Sequence, residues 1–170
     1  MDSGISSASF YKPTTRWALQ GFALLLTGTL LYLLFRPAGT LQVLPNDIGL
    51  QLPLPALLRV LTDRLPTLFH TAAFSLLTCA VLDGSRRTHA LICCSWALIN
   101  IVFEIGQLPM VTNGVANWAA HWLAAQLPNE QARFFTRYFL HGTFDFGDLL
   151  ASGLGAALAW RILNSHGRRQ

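Results

Sequence analysis

Charge is scarce in this chain. Lysine and arginine together number 12 and aspartate and glutamate eight among 170 residues, 12% charged in all, about half the roughly 25% usual in a soluble domain. That shortfall argues against an ordinary water-soluble globule. Cysteine is nearly missing too, with only Cys79, Cys93 and Cys94, which rules out a disulfide framework. The adjacent pair lacks zinc-ligand spacing, so all three read as small apolar fillers. There is no internal repeat, low-complexity tract or separate soluble domain, and neither H-E-x-x-H nor G-x-S-x-G occurs. The glycines near the carboxyl terminus lie inside an apolar run rather than in a loop opening a helix, so they form no phosphate cradle. The formal net charge of +4 is scattered singly or in pairs beside apolar segments, which excludes a nucleic-acid surface and fits membrane flanking.

What the chain has is length of apolar run. Crossing a bilayer takes about 17 to 25 mainly apolar residues, and residues 17–35, 65–82, 89–108 and 147–163 supply them. The expected fold is therefore all-α: a single polytopic membrane domain over residues 1–170, with a bundle of four transmembrane helices. Exposed strand edges would leave backbone groups unsatisfied in hydrocarbon. The first run ends in "FRPAGT" without a small-x-small cleavage site and reads as an anchor. Short interfacial helices are expected in the connections at about 55–63, 115–127 and 129–140, the last two carrying Trp118, Trp122, Phe134, Phe135 and Tyr138, since such rings favour the membrane boundary. The prolines of the first loop, Pro37, Pro45, Pro53 and Pro55, break it into extended pieces.

Cationic ends set orientation. Lys12 and Arg16, Arg86 and Arg87, and Arg161, Arg168 and Arg169 fall on one side of a four-span chain, which predicts both termini cytoplasmic. Alternating directions then bring His70, Glu104, Gln107, Asp145 and Asp148 to the other face. At about 1.5 Å rise per residue, His70, Glu104 and Asp148 share a layer roughly 5 to 10 Å below it. Asn100, Glu104 and Gln107 follow i, i+4, i+7, Asp145 and Asp148 are neighbours on a fourth-helix face, and Thr67, His70, Thr71, Ser75 and Thr78 give the second helix a polar side. Acids are expensive facing lipid, so these stripes are expected to face inward. Ala151, Gly155 and Ala159, with Gly153 and Ala157 as a second small pair, are expected to let helices approach closely.

The series "HTAAF", "EIGQ" and "GTFDFGDLLASGLGAALA" resembles the VanZ-like family of small polytopic membrane proteins, named for a member associated with teicoplanin resistance. The resemblance runs from His70 to about Trp160 and departs at Thr67, where a lysine is common, at Thr143, where an arginine is, and at Ser152, where asparagine is usual. It implies a bacterial cytoplasmic membrane and a link to glycopeptide resistance. Should the site need a cation for an anionic ligand, Arg133 or Arg137 would supply it from the expanded loop.

Three chemistries follow from these residues. An outer polar pocket of His70, Glu104, Gln107, Asp145 and Asp148, with Asn100, Arg133, Arg137 and Ser152 secondary, would bind or modify an envelope lipid or a lipid-linked glycan, without cofactor. Alternatively, His70 and the three acids would hold a divalent cation for headgroup chemistry, although no metal-ligand motif is present. A proton path fits less well, because the other half of the bundle offers only Thr78, His89 and Ser95. The purely architectural alternative makes Asp145 a helix cap and pairs Glu104 with His70. Oligomeric state is left open.

Overall fold

The structure, a computed structural model, describes residues 13–35, 53, 55–126, 139–140 and 142–165. Among them there is no strand. Five helices have both ends among the described residues: α1 (Pro13–Phe35), α2 (Ala56–Leu82), α3 (Arg86–Gly106), α4 (Thr112–Ala124) and α5 (Phe146–Ser165). Four of them are long and apolar enough to cross a membrane, over Thr14–Phe35, Leu58–Leu82, Arg86–Gly106 and Phe146–Ser165. The chain is an all-α, multi-pass membrane protein, as its apolar runs require.

Helix α2 is the hub, packed against α1, α3 and α5, while α3 also packs on α5. The sequence predicts a surface helix over residues 55–63 ending before the second span, yet α2 runs unbroken through Pro66. Proline there removes one backbone donor and leaves the rest of the ladder intact, and Thr62 turns its hydroxyl back onto the Leu58 and Arg59 carbonyls. The 27 residues of α2 reach about 40 Å, beyond a hydrocarbon core of roughly 30 Å. The surplus is about two turns, and Arg59 lies within the first two turns of the helix.

A three-residue turn joins α2 to α3. Asp83 adopts φ 31° and donates its N–H to the Cys79 carbonyl, while Ser85 caps α3 by accepting the Thr88 N–H. So tight a turn makes α2 and α3 antiparallel. The start of α2, the end of α3 and the start of α5 therefore meet at one end of the bundle, and the α2–α3 turn marks the other.

Small residues set the spacing between helices. A methyl at Gly155 would overlap the Leu68 carbonyl and press on Thr71, so α5 lies directly on α2; Ala151 and Ala159 on the same stripe are buried. Among the described residues the expected second small pair forms no interface: Gly153 and Ala157 are exposed, and nothing described lies within 4 Å of a Cβ built at Gly153. Gly21 and Gly28 do the same work on α1, against Leu77 and His70. At the turn end, Trp17, Leu76, Cys79, Cys93, Ala159 and Leu163 form the main apolar core, which bears out Cys79 and Cys93 as fillers, while Cys94 is exposed. Leu19, Phe22, Leu26, Leu98, Val102, Leu150 and Leu154 point outward. In water such a surface would aggregate; in lipid it is solvated.

Helix α4 starts three residues before its expected position, and with 13 residues it is too short to cross. Its Val115 and Ala116 pack on Phe103 and Phe139, while Trp118 and Trp122 stack on each other on the exposed side. The predicted helix over 129–140 and the loop over 36–52 lie outside the described residues, except that Phe139 and Leu140 are helical.

Candidate functional site

The start of α5 is organised by Asp145. One residue before the helix, its Oδ1 accepts the Gly147 N–H at 2.6 Å and its carbonyl accepts the Asp148 N–H at 3.0 Å. That is an N-cap, satisfying donors that no turn of helix precedes. Capping does not exhaust its contacts. The Asp145 N–H donates to Glu104 Oε2 of α3 at 3.3 Å, and Arg64 of α2 approaches the same Oδ1 with Nη2 at 3.5 Å. Residues from three spans therefore converge on one carboxylate and its backbone.

Asp148, in the first turn of α5, is the second anchor. Its Oδ1 accepts the Thr67 hydroxyl at 2.9 Å. On α2, the Thr71 hydroxyl donates to the Thr67 carbonyl at 2.8 Å and accepts the Asn100 amide at 2.8 Å. Hydrogen bonds thus link Asp148 through Thr67 and Thr71 of α2 to Asn100 of α3, and a separate one links Glu104, one turn further along α3, to the Asp145 N–H. The α2–α5 approach at Gly155 makes this possible by holding the backbones close enough for short side chains to touch.

Not every expected member joins. His70 turns toward α1: its Nε2 lies 3.4 Å from the Thr29 hydroxyl, a Cβ at Gly28 would stand 3.2 Å from it, and its ring stands beside Phe74 at 6.3 Å. Depth in the bilayer and direction around a helix are separate quantities, and at about 100° per residue His70 lies on a different azimuth from Thr67 and Thr71. Gln107 ends α3 rather than extending its stripe. Only 7% exposed, it sits as the C-cap with its amide side chain against Gly142, where a Cβ would come within 2.6 Å of Oε1. Ser152 is buried and donates to the Asp148 carbonyl at 2.8 Å, a bond internal to α5. Arg133 and Arg137 lie outside the described residues.

Arg64 is the residue that sequence reasoning passed over. It lies across the first turn of α5, where a methyl at Gly147 would overlap its guanidinium, and its Nε is buried without a partner among the described residues. Its one signal in the sequence was position: Arg64 stands one turn before Thr67, on the face that meets α5. The Arg64–Asp145 side chains remain 41% and 42% exposed, and an ion pair so open contributes no more than about 1 kcal/mol to stability. The pair is placed where water or a headgroup reaches it.

Among the described residues no three His, Cys, Asp or Glu side chains are grouped so as to hold a metal ion. A shallow apolar groove of about 460 Å³ between α1 and α2, lined by Thr14, Ala18, Phe22, Leu77 and Val81, opens at the turn end and includes none of these residues. Set against protein-family models, curated proteins and solved structures, the chain matches none.

Proposed function

We propose that this is a VanZ-like protein of the bacterial cytoplasmic membrane, with both termini cytoplasmic, that binds or modifies a cell-envelope lipid or a lipid-linked glycan in the outer leaflet. The observation that carries the reading is the gathering of polar groups from α2, α3 and α5 at one end of the bundle, where Thr67 bonds Asp148, Asn100 bonds Thr71 and the Asp145 N–H bonds Glu104. Intramembrane carboxylates are costly and are retained chiefly where they have a use. Here they stand at the bundle end, with Arg64 and Asp145 partly open. The stacked Trp118 and Trp122 of α4 support the reading, since such rings favour the membrane boundary. Association with glycopeptide resistance is part of the same proposal and rests on the residue resemblance alone.

The test is protection of a bacterial host against a panel of envelope-active drugs, with Glu104→Gln and Asp148→Asn measured at matched membrane abundance. Protection is expected to fall for both variants. Full protection at normal abundance would remove the functional reading and leave the cluster as helix packing.

A further inference from the structure

At the turn end of the bundle three polar atoms are buried without a partner among the described residues: Trp17 Nε1 and Gln20 Oε1 of α1 and His89 Nε2 of α3. Trp17 is 7% exposed and His89 8%, so bulk solvent does not answer their ring nitrogens, and an orphaned buried polar group costs free energy. Ring contact joins two of the three residues. The Trp17 and His89 rings meet edge-on, with centroids 5.1 Å apart and planes at 82°. Helical spacing brings the third alongside: Gln20 lies one turn along α1 from Trp17 and one turn before Leu24, and both of those residues pack on the main core. On α3, His89 stands one turn before Cys93 of the same core.

The chemistry of these atoms selects the ligand. An indole N–H only donates and an amide oxygen only accepts, while an imidazole nitrogen does either according to its tautomer. An anion would leave Gln20 Oε1 unanswered, and a cation would leave Trp17 Nε1 so. We infer that one water molecule is held between α1 and α3, accepting from the Trp17 N–H and donating to Gln20 Oε1 and His89 Nε2. Three hydrogen bonds are the usual complement of a buried water. Standing about 2.9 Å from each partner, it is of the size to bridge two rings that touch without bonding directly. Helix α1 packs chiefly on α2, and the water ties it to α3 as well. The site lies at the opposite end of the bundle from Asp145 and Asp148 and stands independently of any function proposed for them.

The experiment is solid-state NMR of the full chain in vesicles of perdeuterated phosphatidylcholine, reading magnetisation transfer from water protons to the Trp17 indole N–H, whose signal is assigned by its disappearance in Trp17→Phe. The wild type is expected to show a water cross-peak at Trp17 and at the His89 ring. Gln20→Met, which keeps the length of the side chain, and His89→Phe, which keeps a ring, are each expected to lose most of the Trp17 cross-peak. Its absence from the wild type, or its persistence at full strength in either variant, overturns the inference, as does a scalar coupling between the Trp17 and His89 nitrogens that reveals a direct bond. Unfolding midpoints in detergent supply an independent sign. Removing one partner of a bound water leaves the others short, so Gln20→Met should unfold at a lower temperature. Removing an acceptor that had no partner would instead relieve its cost, and an unchanged or higher midpoint overturns the inference. The wild-type spectrum decides even where a variant fails to insert.

Discussion

Thr67 shows how much one hydroxyl does here. It donates to Asp148 Oδ1 while its carbonyl receives Thr71, so it ties α2 to α5 at the depth where a carboxylate most needs a donor. Thr67→Val keeps the shape and removes the donor; it is expected to cost about 1 to 3 kcal/mol, read as a lower unfolding midpoint in detergent, whereas Thr67→Ser should stay close to wild type. His70 makes the opposite case. With its recorded contacts on Thr29 and Phe74, His70→Gln is expected to loosen α1 from α2 while leaving protection unchanged at equal abundance. Loss of protection without loss of abundance would put the imidazole back in the site. The carboxylates were legible in the sequence because intramembrane acids stand out against hydrocarbon. Arg64 was not, because an arginine near a span end looks like ordinary flanking charge until its neighbour across the bundle is known.

Glycine placement decides which helix faces meet. Gly155 and Gly153 look alike on a small-residue stripe, and only one touches another helix. Gly155→Ala is expected to push α5 off the Leu68 carbonyl and destabilise the protein by about 1 to 3 kcal/mol. Gly153→Ala, with open space around it, should change stability by less than about 0.5 kcal/mol or raise it slightly through helix propensity. Equal effects from the two would refute the α2–α5 packing. Hydropathy gave the number and approximate positions of the spans, because it depends only on composition over about twenty residues. It could not give the facing of the second small pair or the continuity of α2 across Pro66, since both depend on the neighbouring helix that supplies or withholds a surface.

At the scale of the whole molecule, three helices and a flanking fourth bury little of themselves and expose broad apolar faces. That is the expected balance for a bundle solvated by lipid, where helix association relies on close packing and polar contacts rather than on burial from water. Reporter fusions at residues 1, 84 and 170 should all report the cytoplasmic side, and a fusion at 113 the opposite side. An inverted pattern would move the polar cluster to the inner leaflet and overturn the envelope-facing proposal. The clustering itself would survive, because it follows from alternating span direction and the tight Asp83–Ser85 turn rather than from orientation.

Whether acids and hydroxyls from separate spans share one site is tested most directly by cysteine cross-linking in native membranes, in a background with Cys79, Cys93 and Cys94 replaced. Thr67→Cys with Asp148→Cys should form a disulfide readily on mild oxidation, and His70→Cys with Asp148→Cys should not. Failure of the first pair in a properly inserted protein, or efficient linkage of the second, would contradict the arrangement on which the account depends.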